Sequence, residues 1–156
     1  QKDTIDIKQV GLIRKIKDLV DDFTLKNPGI IVKQTFKVEE DQLPKKRSDD
    51  EYWRIEVVKI IREVLNNVEK HSKADKVYID VKAGKSKAKR KIYISVSDNG
   101  TGFSPDTTGE SSTSFGLYEI NTRAKDIGAT IEIDSLYREK VDNKGTIVML
   151  EIPYDY

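Results

Sequence analysis

Residues 92–103 read IYISVSDNGTGF and join a strand pattern to a glycine-rich turn. Ile92, Ile94 and Val96 alternate with polar side chains, which is typical of a strand with one buried face. Continuing the alternation by one step places Asp98 on that buried face. A buried carboxylate is costly unless a hydrogen-bond donor accompanies it. We therefore expect a hydrogen-bond donor next to the Asp98 carboxylate.

Two kinds of donor fit Asp98. The exocyclic amine of a flat heterocycle, such as N6 of adenine, would make Asp98 the specificity group of a purine pocket. Gly100 and Gly102 would then let the ring lie close to the backbone. Alternatively, Asp98 caps its own turn through a backbone N–H, which is common for Asp before glycine.

A long helix is predicted upstream of this strand. Ser48–Glu51, read as a capping box, would begin it, and apolar residues at helical spacing continue to about His71. Glu63, Asn67, Lys70 and His71 lie beside the apolar arc, and the first two are one turn apart. This polar set is ordinary surface in many helices, but it also suits Mg²⁺ that carries phosphates, because Mg²⁺ prefers oxygen ligands.

Two short glycine motifs follow downstream. SFGL, residues 114–117, opens a predicted helix whose N-terminal N–H groups could bind phosphate. KGT, residues 144–146, enters the last predicted strand, where a small residue lets a ligand or another strand approach. Each motif alone is equally compatible with a purely structural role.

The remaining pattern predicts an α+β sandwich, with one mostly antiparallel sheet and helices packed on one face. Helices are predicted at residues 4–26 and 115–127, and strands at 30–38, 77–81, 92–96, 130–137 and 145–152. The connection 82–91, KAGKSKAKRK, is a solvated hairpin tip or a contact for an acidic partner.

Composition excludes several classes of function. The 156 residues contain 28 basic and 27 acidic side chains and no cysteine. Overall charge therefore gives no argument for binding nucleic acid or membrane, and neither a disulfide framework nor a thiolate metal site is possible. No signal peptide or transmembrane run is visible. Because the first residue is Gln1, we expect a piece of a longer protein.

Four motifs in order give a family resemblance: REVLNNVEKHSKA at 62–74, DNGTGF at 98–103, SFGL at 114–117 and KGT at 144–146. Together they resemble the ATP-binding domain of bacterial sensor histidine kinases, in the Bergerat-fold (GHKL) ATPase group. The ending KHSKA and the short lid are similar to the subgroup of the thermosensor DesK and the nitrate sensors. The resemblance implies a two-layer α/β sandwich with a mixed sheet.

The resemblance also implies residue roles, with ATP and Mg²⁺ as cofactors. Asn67 would hold the metal and Asp98 would bind adenine N6. Lys70 and His71 would contact phosphates, and Gly100, Gly102 and Gly116 would shape the base pocket and lid. The motif matches add Phe103, Ser114, Leu117 and Thr146 as nucleotide contacts. Ser114 stands where the family usually has glycine. Glu63, the acid of the first motif, is the catalytic candidate.

Partners follow from what this chain lacks. The family phosphorylates a histidine on a dimerisation helix, and the only histidine here is His71, inside the ATP motif. Residues 1–28 would be the tail of that dimerisation region or the start of the catalytic domain, which would occupy 29–156. The implied partners are the parent kinase's dimerisation helices and a response regulator receiver domain. We expect a cytoplasmic monomer without nucleic-acid or direct membrane contact.

Two other functions remain open at this stage. An anti-sigma-factor serine kinase shares the fold and motifs, although such chains usually enter the long helix from a strand and then a helix. A non-catalytic ATP-binding or docking module would keep the scaffold without the chemistry.

Overall fold

The computed structural model describes residues 2–44, 47, 49–84, 90–101, 116–136 and 145–155. These described residues contain three α-helices and five strands. The helices are α1 (Lys2–Lys26), α2 (Asp50–Asn67) and α3 (Leu117–Asp126). The strands are β1 (Ile31–Lys37), β2 (Lys76–Ala83), β3 (Lys91–Asp98), β4 (Thr130–Leu136) and β5 (Gly145–Pro153). A 3₁₀ turn covers Glu40–Gln42, and a π-helical turn, Val68–Ser72, follows α2.

The strands form one mixed sheet in the order β1-β2-β3-β5-β4. β1 pairs with β2 in parallel, and the other three pairs are antiparallel. The prediction of an α+β fold with a mostly antiparallel mixed sheet is therefore confirmed. β2 and β3 also confirm the predicted hairpin, whose residues 85–89 lie outside the described residues.

One face of the sheet carries the core. The inward residues of β2 and β3 are buried, and the same core contains apolar residues of all three helices. Burying each such side chain stabilises the fold by about 1.5–3 kcal/mol. The inward set on the two central strands is Val77, Ile79, Val81, Ile92, Ile94 and Val96. The helices therefore cover one face and leave the other outside this core.

Helix α1 is divided at Gly11, whose φ of 83° and ψ of 169° are not helical. The prediction of one continuous helix over residues 4–26 is wrong at this point. The carboxylate of Glu40 accepts the N–H groups of Leu12 and Ile13 at 3.0 and 2.8 Å, and so caps the second helical segment. A Cβ at Gly11 would lie 2.5 Å from Glu40 Cδ, so glycine makes room for this cap.

The start of α2 also differs from the prediction. Its N-cap residue is Asp49, which makes no side-chain cap hydrogen bond, whereas Ser48 of the predicted capping box lies outside the described residues. The Asp49 carboxylate instead binds Arg47 at 2.9 Å. The Arg47 guanidinium, fully buried, also donates to the carbonyls of Ile127 and Pro153 and lies over the Trp53 ring. A buried cation therefore ties the helix start to the end of β5.

No helix among the described residues has both the length and the apolar character that a membrane crossing requires.

Candidate functional site

The end of α2 and the end of β3 lie at the same edge of the sheet. Arg47, just before α2, binds the carbonyl of Pro153 at the end of β5. From there α2 runs to Asn67, and a short connection leads to Asp75, whose N–H is held by Asn99 just after β3. The first helical motif and the glycine turn therefore meet at the edge where β3 ends and β5 begins.

Asp98 ends β3 on the helix-facing side of the sheet, as the alternation predicted. It is half-buried, and it accepts a hydrogen bond from the Gly100 N–H at 2.8 Å. The turn cap is thus present. Burial raises the pKa of Asp98, and the Gly100 hydrogen bond opposes that rise only in part. A further donor from a ligand would stabilise the ionised carboxylate.

Asn99 fastens this turn to the neighbouring strand. Its side-chain oxygen accepts the N–H groups of Asp75 and Lys76 at 3.0 and 2.9 Å, and its amide donates to the Asp75 carboxylate. Sequence reasoning passed over Asn99 because Asn before Gly is sufficiently explained by a turn. The signal was the pairing of β2 with β3, which brings the start of one strand to the end of the other.

Gly145 explains the third glycine motif. A Cβ there would lie 2.1 Å from the Asp98 carbonyl oxygen, and the φ of 148° is itself unfavourable for other residues. The group that approaches Gly145 is therefore another strand. The next residue, Thr146, pairs with Asp98 across the ladder. The motif thus places a hydroxyl beside the carboxylate.

Gly145→Ala is expected to destabilise the chain by about 1–3 kcal/mol, because the new methyl overlaps a backbone atom that cannot rotate away. The melting temperature would fall by about 2–4 °C for each kcal/mol. Gly29→Ala is the matched control, since a Cβ at Gly29 meets nothing within 4 Å. An unchanged melting curve for Gly145→Ala would contradict the close approach.

Glu63 and Gly116 bring two motifs into contact. A Cβ at Gly116 would lie 2.2 Å from Glu63 Oε1, and the φ of 63° places this N-cap of α3 in the left-handed region. The Arg123–Glu56 ion pair, 2.7 Å long, also ties α3 to α2. Lys59, Arg62, Glu63, Glu119, Ile120 and Arg123 line a cavity of about 270 Å³ between these helices. Glu63 thus borders an open groove whose lining includes three basic side chains.

The other predicted residues divide into two groups. Asn67 lies one turn beyond Glu63, half-buried at the end of α2, and Lys70 is exposed in the π-helical turn. Leu117 is the first residue of α3, and Gly100 is buried. That these positions form one nucleotide site is a proposal. Gly102, Phe103, Ser114 and the side chain of His71 lie outside the described residues.

A family model matches this arrangement. Residues 54–156 match the model of the histidine kinase-, DNA gyrase B- and HSP90-like ATPases. The chain belongs to this ATPase family. The match begins within the first turn or so of α2 and runs to residue 156, so all four motifs lie inside the family's domain.

Curated members of the family with similar sequences are bacterial sensors. The sensor histidine kinase LiaS of Bacillus subtilis is 32% identical over 92% of this chain and 34% of its own length. The sensor protein VraS of Staphylococcus saprophyticus is 34% identical over 96% of this chain and 37% of its own length. The chain thus spans about a third of these relatives.

Solved structures of the family share the fold. The histidine kinase domain of the Erythrobacter litoralis blue-light activated kinase EL346 superposes with a TM-score of 0.64 at 16% identity, over 89% of this chain and 59% of that one. The catalytic domain of the histidine kinase ThkA gives 0.60 at 16% identity, over 92% of each chain. At these identities the likeness concerns the architecture alone.

Proposed function

We propose that this chain binds ATP with Mg²⁺ and is the phosphoryl-donating domain of a two-component sensor histidine kinase. The observation that carries the proposal is Asp98, a half-buried carboxylate at the end of β3 in a chain of the ATPase family. Its oxygen would accept the N6 amine of adenine. Gly100, whose N–H already orients the carboxylate, would let the base lie against the turn.

The residues at the end of α2 fit a metal that arrives with the nucleotide. Among the described residues no cluster of three His, Cys, Asp or Glu side chains could hold a metal ion alone. Mg²⁺ keeps several waters and needs few protein ligands when phosphates supply the rest. The Asn67 amide oxygen would be that ligand, and Lys70 and His71 would contact the phosphates. Bound Mg²⁺ would neutralise part of the negative charge of the phosphates.

Phosphoryl transfer would depend mainly on positioning and charge. Glu63 would orient or accept the proton of the attacking group at the groove between α2 and α3. Gly116 and Leu117 would present backbone N–H groups of the α3 N-terminus, and Thr146 would steady Asp98. Gly102, Phe103 and Ser114 would complete the base pocket and lid.

The acceptor would be a histidine on another segment of the parent protein, reached in cis or across a dimer. The phosphoryl group would then pass to an aspartate of a response regulator. In this proposal residues 1–28 lead in from the dimerisation helices, residues 29–156 form the catalytic domain, and the domain works in the cytoplasm. The sensor relatives support this, because they are longer proteins of which the chain matches one third.

The proposal is tested by calorimetric titration of ATP into the purified chain with and without Mg²⁺. We expect binding below about 1 mM with Mg²⁺, and loss of the metal dependence in Asn67→Ala. Asn121→Ala, an exposed amide in α3, is the matched control. An absence of nucleotide binding would favour the docking module, and phosphorylation of a serine on a sigma antagonist would favour the anti-sigma-factor kinase.

A further inference from the structure

The outer face of the sheet carries an apolar strip that the proposed function does not use. Tyr78 of β2 and Ile147 and Met149 of β5 are exposed by 44, 44 and 42%. Between them lies β3, whose outward residues at this level are Ser95 and Ser97. Two apolar ridges therefore flank a line of small side chains. Exposed apolar side chains grouped on one face of a sheet are a common feature of interaction sites.

The charges on the same face are divided by sign. The outward residues of β1 and β2 are rich in lysine, whereas the charged outward residues described on β4 and β5 are all acidic. The basic half holds Lys33, Lys37, Lys76 and Lys82, with Asp80 as its one acid, and the acidic half holds Glu132, Asp134 and Glu151. The face is thus bipolar, with β3 as the dividing line.

The strand register aligns these groups in rows across the sheet. The first row runs Lys33, Tyr78, Ser97, Ile147, Asp134. The second row runs Thr35, Asp80, Ser95, Met149, Glu132, and the third runs Lys37, Lys82, Tyr93, Glu151, Thr130. Read from either end, the first row gives a charged residue, then an apolar or aromatic residue, and then Ser97 at the centre.

We propose that this face binds a second copy of the chain, with the two sheets packed face to face around a two-fold axis along β3. Such an axis exchanges the two halves and keeps each row. Lys33 then meets Asp134 of the second copy, and Tyr78 meets its Ile147. Ser97 lies on the axis, where its small side chain allows close approach.

The charge pattern selects this axis over the alternative. An axis in the interface but perpendicular to the strands would lay the lysines of β1 and β2 on themselves, which is repulsive. With the axis along β3, Lys82 also meets Glu151 of the second copy. Two contacts are mismatched: Asp80 lies opposite Met149, and Lys91 at the start of β3 lies on the axis opposite its own copy. Lys91 also binds Glu151 of the same chain at 3.2 Å, so the contact of Lys33 with Asp134 is the main charge pair of the interface. Aligned sheets cross at about 30°, so the rows match best near the axis.

The area predicts a weak, concentration-dependent dimer. Five strands about 4.8 Å apart, each with about seven residues of 3.3 Å, cover about 550 Å² per copy. The total of about 1,100 Å² lies at the lower end for specific interfaces. The predicted monomer would then be the form at low concentration. Asp98 and Thr146 point to the opposite side of the sheet, so the nucleotide site stays open.

Sedimentation equilibrium between about 1 µM and 1 mM tests the proposal. We expect a monomer–dimer equilibrium within that range, weakened at least tenfold by Ile147→Lys, because the new cation would face Tyr78 of the second copy, over whose ring Lys33 already lies. Leu25→Lys is the matched control, because Leu25 is 81% exposed on α1, away from the sheet. A chain that stays monomeric to about 1 mM, or a dimer that Ile147→Lys leaves intact, would overturn the proposal.

A charge exchange tests the axis. Lys33→Glu and Asp134→Lys should each weaken the dimer, and the double variant should restore it, because each altered residue meets the other across the axis. A double variant no better than either single one would overturn the arrangement. Thermal melts confirm folding of each variant. ATP titration is expected to be unchanged, so failure of the proposed nucleotide site would leave this result standing.

Discussion

Asp98→Asn is expected to weaken ATP binding by about 10- to 150-fold, which corresponds to the 1.5–3 kcal/mol of a hydrogen bond to a charged group. Asn keeps an oxygen for the Gly100 N–H, so the turn should persist. What it loses is the negative charge, and its amide nitrogen cannot accept the adenine amine. Calorimetry of wild type and variant measures the ratio. Equal affinities would contradict the assignment of Asp98 to the base.

The same substitution should leave the nucleotide-free chain at least as stable at neutral pH. Burial raises the pKa of Asp98 in the folded chain. The stability linked to this group is therefore fully present below its unfolded pKa and is lost as pH rises through the folded pKa. Asn does not ionise and removes that loss. Denaturant unfolding at pH 4 and pH 7 gives the change in the free energy of unfolding between the two pH values. The contribution of residue 98 that destabilises the wild-type chain as pH rises should be missing in the variant. The same pH dependence in both chains would contradict the raised pKa of Asp98.

Arg47→Met is expected to destabilise the chain by about 3–5 kcal/mol, the cost of breaking a buried ion pair by removing one partner. Met retains the apolar stem against Trp53. However, the Asp49 carboxylate and the carbonyls of Ile127 and Pro153 each lose a donor. Since whole domains are stable by about 5–15 kcal/mol, this is a large fraction. Urea unfolding followed by circular dichroism gives the value.

Arg14→Met supplies the comparison for Arg47. Arg14 pairs with Asp18 at 2.9 Å, but both side chains are about half exposed. Exposed pairs of this kind contribute about 0–1 kcal/mol. Similar decreases in the free energy of unfolding in the two variants would contradict a larger contribution from the buried Arg47.

The sequence predicted the elements well, because their signals are local. Alternation identified the five strands, and apolar spacing identified α2. The inward position of Asp98 followed from counting along β3. Its two explanations were not exclusive, since the carboxylate accepts the Gly100 N–H and still lies where a ligand donor could reach it.

The failures are contacts between distant segments. No sequence pattern near Gly11 predicts that the carboxylate of Glu40, 29 residues further along, caps the helix there. Arg47 binds Asp49 and also the carbonyls of Ile127 and Pro153, far along the chain, and no local pattern predicted these contacts. Asn99 and Gly145 owe their roles to the strands beside them. Periodicity records which face a residue occupies and not which partner it meets.

The break at Gly11 determines what α1 can transmit mechanically. A helix conveys torque only along an unbroken hydrogen-bond ladder, and here the N–H groups of Leu12 and Ile13 belong to Glu40. The hydrogen-bond ladder therefore does not link residues 2–10 to the second segment of α1. Glu40 in turn forms an ion pair with Arg54 of α2. We therefore expect the two segments of α1 to act on the helix that carries Glu63 and Asn67 separately, the first through the Lys8–Glu51 ion pair and the second through Glu40 and Arg54.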